Sequence, residues 1–490
     1  MADNKKQYAT SFEVKQMSLY TVGDETTPYV RLDGDMCKQF QYFEDIFWPS
    51  YAATMVVQDS AENLISAMPI QGFEKCIVEI DDLDGGNYSY EFRVWNISNR
   101  VETGRNQIYT LGLISVQGML NEGITVNKII EGNTSTQVKK ILTDYFRVPD
   151  GKIDTENSST SIKILPTKKS PFALIRSILP KTISEKVSPV LKKFNIETTI
   201  KGGEIVGDIP QFTSDVRITG TQGKGSAGYF FFQTRRGYVF RSIDSLISTD
   251  TDNFNGKPTI NNTPKYNNEK FKCQTAKVGK PSKMLIQEII FGKELDMIKK
   301  MREGHYSNIC CFFNINTHSY EEQVYSLKDT WDQMAHLGKN PLPNGQKLLS
   351  KYPSRTMSTV INNEVWYSGT DVASDDPKEG GDSKSTHPYQ DFQKHYLQQG
   401  LARAGILFNQ QLTISLTGHL ELCAGDKIEI ELPNPKRESE KDSDVDPLYS
   451  GTYLIKNLNH QFNMTDDRSV YTVLDLIRDS NGIRDHNPTS

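Results

Sequence analysis

The sequence predicts an α+β protein, mainly β, built on two similar small antiparallel β modules with α/β stretches inserted around them. Three observations carry this. From about Phe12 to Gly118, short runs rich in β-branched and aromatic residues recur between Gly/Asp turns, the signature of a small barrel or sandwich. The same phrase then returns, altered, near the C-terminus. Between the two occurrences the apolar period changes from that of strands to that of helices.

The repeated phrase has three parts. Near the N-terminus it reads Glu74-Lys-Cys-Ile-Val-Glu-Ile80, Phe92-Arg-Val-Trp-Asn-Ile97 and Tyr109-Thr-Leu-Gly-Leu-Ile114. Near the C-terminus it reads Gly425-Asp-Lys-Ile-Glu-Ile-Glu-Leu432, Gly451-Thr-Tyr-Leu-Ile-Lys-Asn-Leu-Asn-His460 and Tyr471-Thr-Val-Leu-Asp-Leu-Ile477. Each begins with a Lys-led strand, continues with an aromatic strand carrying Asn, and ends on a Tyr-Thr strand. Lys75 to Tyr109 is 34 positions and Lys427 to Tyr471 is 44, the charged run Asn434–Asp446 supplying most of the difference.

The elements follow in order. Tyr51–Val57, Lys75–Ile80, Tyr88–Ile97 and Gln107–Ile114 read as strands of the first module, residues 1–120. A middle α/β region, 121–268, begins with a helix whose face is Val138, Ile141, Leu142, Tyr145 and Phe146, with Thr134 or Ser135 as N-cap and Pro149-Asp-Gly151 ending it. A second helix starts at Ser170-Pro171 and buries Leu174, Ile175 and Ile178, with Pro at the first helical position. Residues 181–225 read as an elaborated loop. Gly228–Thr234 and Tyr238–Arg241 form a hairpin around Arg235-Arg236-Gly237. Polar residues 249–269 read as a linker. The second module is discontinuous, 269–328 plus 408–480, and includes a β-pair over Ile309–Ile315 and Glu322–Leu327. An α/β insertion, 329–407, carries a helix with Phe392, Tyr396, Leu397 and Leu401, and 481–490 is a polar, flexible tail.

Totals narrow the function classes. A chain of 490 residues exceeds one core. A net charge of −5 argues against non-specific nucleic-acid binding, which needs a concentrated basic surface. No apolar run of about 18 residues is present, so no membrane span is expected, and the polar N-terminus shows no secretory signal. The six cysteines (37, 76, 273, 310, 311 and 423) form no CxxC, which predicts reduced thiols and synthesis in a reducing cytoplasm.

Candidate chemistry is weak. Gly223-Lys-Gly-Ser-Ala-Gly228 with Asp244 matches a dinucleotide fingerprint, but a β run follows where a helix is required. Asp82-Leu-Asp84 begins like a calcium loop, yet Gly86 and Arg93 stand where that loop needs Asn/Asp and Glu, so a hairpin turn is the better reading. The eight histidines (305, 318, 336, 387, 395, 419, 460 and 486) show no ligand spacing, and His419 and His460 sit inside strands as packed or rim residues. Glu44-Asp45 reads as surface charge rather than an acid pair, and Arg235-Arg236 as a solvated turn or a contact for an acidic partner. No catalytic, cofactor-binding or metal residue is assigned, no cofactor is expected, and partner-binding residues are left open.

Several stretches together resemble the baseplate hub proteins of T-even-type contractile-tailed phages. They are Gln39–Ile46, Leu64-Ile-Ser-Ala-Met-Pro-Ile-Gln-Gly72, Tyr109–Ser115, Ala227–Phe232 with Gly237–Asp244, and Ala424-Gly-Asp-Lys427 with Ser450–Ile455. The last pair is also similar to the hub part of type VI secretion spike proteins. Beside shorter hubs, 181–225, 372–387 and 434–447 read as extra loops. The resemblance implies a non-enzymatic virion protein of the tail baseplate, assembled in the host cytoplasm. Three copies, each with two barrel-like tube domains, would form a ring. That ring would adapt the hexameric tail tube to the trimeric central spike, contact other baseplate subunits and enclose the channel for genome ejection. The competing readings are a tail-associated peptidoglycan hydrolase and a host-glycan-binding tail protein.

Overall fold

Alternation of apolar and polar residues builds the first strands and fixes which face is buried. In β3 (Cys37–Asp45) from Phe40 on, and throughout β4 (Ala52–Asp59), every second residue is buried, including Phe40, Tyr42, Met55 and Val57. The computed structural model describes residues 10–185, 225–248, 266–272, 285–338, 353–367, 392–434 and 445–482. Short gaps fall at 24, 33–35, 61–69, 83–84, 105, 293–295, 316–317, 332–333, 362–364 and 466–467. The extra loop 372–387, nearly all of 181–225 and 249–269, most of 434–447 and the tail from 483 therefore lie outside the described residues.

One large sheet dominates, and the protein is mainly β with helices set against it. The first run comprises β1 (Phe12–Tyr20), β2 (Val30–Arg31), β3, β4, β5 (Lys75–Asp82), β6 (Asn87–Thr103) and β7 (Asn106–Ile114). The second comprises β13 (Tyr266–Lys272), β14 (Ile286–Phe291), β19 (Gln410–Thr417), β20 (Lys427–Glu431), β21 (Gly451–Asn463) and β22 (Ser469–Arg478). The sheet runs β14-β19-β22-β21-β3-β4-β7-β6-β5-β1-β2, with β20 on the N-terminal part of β21 and β13 beside β20. Both runs share one core, from Phe12 and Phe40 through Phe92 to Phe462 and Leu476.

The two runs share strand order, register and two of their irregularities. The order β3-β4-β7-β6-β5-β1 recurs as β14-β19-β22-β21-β20-β13, antiparallel throughout except that β13 is parallel to β20. Lys75 lies opposite Arg93 and Lys427 opposite Leu454, while Arg93 and Leu454 lie opposite Ile114 and Ile477. The ladder skips Trp95 just before Asn96 and Lys456 just before Asn457. It shifts again between Cys37 and Gln39 and between Ile286 and Glu288. The Lys and Asn matches seen in the sequence therefore occupy equivalent ladder positions. The Tyr-Thr match is one residue out. Ile114 and Ile477 are equivalent, so Tyr109 corresponds to Thr472; both are buried, whereas Tyr471 is 40% exposed on the opposite face. The corresponding phrases are Leu111-Gly-Leu-Ile114 and Leu474-Asp-Leu-Ile477.

Neither run closes into a barrel among the described residues, contrary to the expectation from strand spacing. The cause is strand length. β6 has 17 residues, a span of about 55 Å. Only its N-terminal part pairs with β5, and the rest continues past β5 while still pairing with β7. In β21, residues 457–463 likewise continue past β20 and pair with β3, joining the two runs into one open sheet.

The remaining elements pack beside this sheet. They begin with α1 (Val116–Gly123), β8 (Ile130–Asn133), α2 (Thr134–Phe146), β9 (Ile153–Thr155), β10 (Thr160–Ile164) and α3 (Pro171–Ile178). The N-cap of α2 is Asn133, not Thr134 or Ser135; its side chain accepts from the Ser135 and Thr136 amides. Asn121 of α1, an unforeseen helix, accepts from the Phe172 amide at the start of α3 at 2.9 Å. Then come the hairpin β11 (Tyr229–Thr234) and β12 (Gly237–Ser242), with α4 (Ile243–Ile247) after it. The rest are α5 (Met297–Arg302), β15 (Ser307–Asn314), β16 (Ser319–Ser326), α6 (Leu327–Thr330), β17 (Arg355–Val360), β18 (Val365–Tyr367) and α7 (Phe392–Ile406).

Three small sheets stand beside the large one: β18-β10-β8, which joins the insertion to the middle region, β11-β12-β9, within the middle region, and β16-β15-β17. The pair β15–β16, read in the sequence as part of the second module, thus has β17 of the insertion as its other neighbour. Alternation reports which face is buried but not which strand lies alongside. No helix among the described residues is long and apolar enough to cross a membrane.

Candidate functional site

The arrangement that organises this molecule is the junction where β21 meets β3. Its ladder runs from Asn457 opposite Asp45 to Asn463 opposite Gln39. On the core face Phe462 packs on Phe40, with ring centroids 5.6 Å apart, and His460 stacks on Tyr42 at 6.1 Å. His460 is buried and its Nδ1 lies 2.9 Å from the Thr472 hydroxyl. Burial first, then the Arg235 charge, pulls its pKa down to about 3, so the ring is a neutral packing element.

The next core-facing residue of β3 after Tyr42 is Glu44. It is a carboxylate in an apolar row, and burial pushes its pKa up. Three donors converge on it: the Tyr42 hydroxyl at 2.7 Å and the Arg235 amide at 2.6 Å on Oε1, and the Ala424 amide at 2.8 Å on Oε2. Glu44 therefore ties β3 of the first module to the tip of the β11–β12 hairpin and to the loop before β20. Its neighbour Asp45 points to the other face and accepts from the Phe47 amide at 2.7 Å. Period-2 geometry separates the two carboxylates, so they form no acid pair.

Arg235 and Arg236 are half-buried rather than a solvated turn, and each has a partner within the chain. The Arg235 guanidinium lies over the Tyr88 ring at 4.8 Å. Arg236 donates to Asp426 Oδ1 at 2.7 Å and to the Glu421 carbonyl at 2.6 Å. The acidic partner is in the same chain. Two glycines let the pieces approach. Gly237 (φ +144°) would set a Cβ 2.3 Å from the Lys152 carbonyl, and Gly425 (φ +85°) would set one 2.6 Å from the Phe232 ring. The hairpin tip is thus a clamp spanning both modules beside their junction.

A second joint lies at the far end of β22. Arg403 of α7, fully buried, donates to Asp244 and to Asp479, both at 2.8 Å. His336 lies between Asp479 Oδ2 (2.7 Å) and the Trp331 carbonyl (2.8 Å). Burial favours a neutral Asp479, but His336 and Arg403 outweigh it and hold the carboxyl well below the usual range. Asp244, the tempting ribose ligand of the glycine motif, is therefore an ion-pair partner. Of that motif, Gly223 and Lys224 lie outside the described residues, and Gly228 leads into β11 rather than a helix.

The other sequence candidates are dispersed. Asp82 caps its own hairpin, accepting from the Gly86 amide at 2.8 Å, and Asp84 is outside the described residues. His305 lies 3.3 Å from Glu303, His419 is buried in the loop after β19, and His318 is exposed. His387, His486, Cys273 and the side chain of His395 are outside the described residues. Cys37, Cys76, Cys310 and Cys423 are buried and Cys311 partly so, none in a disulfide. Among the described residues no group of three His, Cys, Asp or Glu side chains is placed to hold a metal. What the joints do chemically is satisfy buried charge with fixed donors, which sets the mutual orientation of the parts.

With that geometry in hand, comparison with solved structures gives matches along almost the whole chain. Similar structures include the tail protein from Neisseria meningitidis MC58 (TM-score 0.47, 11% identity, 95% of this chain and 96% of that one). The prophage MuSo2 43 kDa tail protein from Shewanella oneidensis gives TM-score 0.46 and 8% identity, over 96% of this chain and 99% of that one. Both are tail proteins. The E. coli c3393 protein, a component of the type VI secretion system, gives TM-score 0.34 and 9% identity, over 96% and 76% of the two chains. No family model and no curated protein matches the sequence.

Proposed function

We propose that this chain is the structural hub subunit of a contractile phage tail baseplate. In this reading three copies form a ring with pseudo-sixfold symmetry, joining the hexameric tail tube to the trimeric central spike and enclosing the channel for genome delivery. The observation that carries it is the duplicated strand run, with the same strand order and two ladder irregularities at equivalent places in both copies. Two like modules per chain give a threefold ring six near-equivalent positions. A sixfold partner then meets one surface six times, while a threefold partner meets the regions that differ, 121–268 and 329–407. The joints support the reading, because Glu44 and Arg403 tie two modules and two inserted regions together. Ring interfaces of this obligate kind bury on the order of 2,000 Å² or more. The test is assembly state: purified protein, alone and mixed with its spike protein, is expected to be trimeric. A strict monomer at micromolar concentration under both conditions overturns the proposal.

A further inference from the structure

The junction inside the chain has a counterpart that no strand fills among the described residues. Residues 457–463 of β21 have β22 on one side and β3 on the other. The equivalent part of β6, from Asn96 to Thr103, has β7 on one side and, among the described residues, no strand on the other. The equivalent of β3 is β14, which pairs with β19 and, among the described residues, ends the sheet. The consequences show in exposure. Leu458 is buried and Ile97 is not; Tyr42 is buried, whereas its equivalent Phe291 is 48% exposed. Val101 and Ile290 are 58% and 56% exposed. An unpaired edge bearing exposed apolar residues is a template for another strand.

We infer that β14 of a second copy of this chain occupies the free edge of β6, repeating between copies the β21–β3 pairing made within one. Transferring the internal register fixes the contacts. Asn459 opposite Phe43 becomes Ser98 opposite the partner's Gly292, and Gln461 opposite Gln41 becomes Val101 opposite the partner's Ile290. The extra residue of β6, at Asn99–Arg100, then faces the partner's Phe291. Val101 and the partner's Ile290 meet on the same face as the exposed Ile108, so three apolar side chains that water now wets cover one another. Because β6 and β14 are different edges, the contact is head-to-tail. Repeated at one rotation, it closes a ring whose sheet is continuous through both kinds of junction. This inference rests on the ring reading above and adds to it the strands and the register.

The test is disulfide trapping in the full chain. Oxidised Val101→Cys/Ile290→Cys protein is expected to run mostly as covalent dimers and trimers that collapse on reduction. The wild type, each single variant and the off-register pair Val101→Cys/Glu288→Cys are expected to stay monomeric on the gel. A two-residue displacement is about 6.7 Å along a strand, which puts the Cα atoms beyond disulfide reach. Hydrogen exchange on the wild-type protein gives a readout without substitution. In the assembled particle the amides of 98–103 and 286–291 that are free in the single chain should exchange within about tenfold of those of 457–463. A particle of trimer mass whose free edges exchange unprotected, or in which the off-register pair links equally well, overturns the strand assignment and leaves the ring standing. A monomer overturns both.

Discussion

Removing the Glu44 carboxylate should cost more than any single surface charge in the molecule, and its size follows from its three donors. In Glu44→Ala the Tyr42 hydroxyl and the Arg235 and Ala424 amides lose their acceptor inside a buried joint. Each orphaned buried donor costs about 1–3 kcal/mol, so a loss of about 3–9 kcal/mol is expected for the three. Glu44→Gln keeps the volume but replaces one oxygen with an amide that donates. Placed with its oxygen toward Tyr42 and Arg235, it opposes N–H to N–H at Ala424 only, and the loss falls to about 1–3 kcal/mol. Urea unfolding followed by tryptophan fluorescence, at fixed protomer concentration, reads both values. An alanine variant within 1 kcal/mol of wild type, or a glutamine variant as damaging as alanine, would refute the assignment of Glu44 as the shared acceptor.

Two further outcomes follow from the buried charges. Arg403→Leu strands the Asp244 and Asp479 carboxylates, and at neutral pH should destabilise by about 3–5 kcal/mol in the same urea assay. Glu156 is fully buried beside the Arg241–Asp154 pair, and burial raises its pKa to about 7. A raised acid pKa means the folded state prefers the protonated form: this contribution is whole below about pH 4.5 and is lost as pH rises through 7. Glu156→Gln should therefore gain on the order of 2 kcal/mol over wild type near pH 8.5 and almost nothing near pH 4, as thermal unfolding at the two pH values will show.

The strands and the repeat were legible because burial of one face writes a period of two, and because Lys75 and Lys427, like Asn96 and Asn457, hold equivalent positions. The Tyr-Thr match went astray for the same physical reason. One step along a strand reverses the face, so Tyr109 is core and Tyr471 is surface, although their neighbours look alike. Burial would have separated them; residue type does not. The joints were not legible. Glu44 comes two residues after Tyr42 in a core-facing row, and that position was the available signal for a buried carboxylate. Its other two donors come from 191 and 380 residues away, separations that no local pattern spans. Partner choice for β15 was invisible for the same reason, since β17 reaches it from the insertion. The α2 cap at Asn133 was a local signal, obscured because Thr134 and Ser135 are equally good capping types.

Solution mass tests the central claim most directly. Light scattering on the purified chain should give about 170 kDa, three times its 55.5 kDa, held over a tenfold dilution around micromolar protomer. A mass of one chain across that range, unchanged when the spike protein is added, would contradict the account.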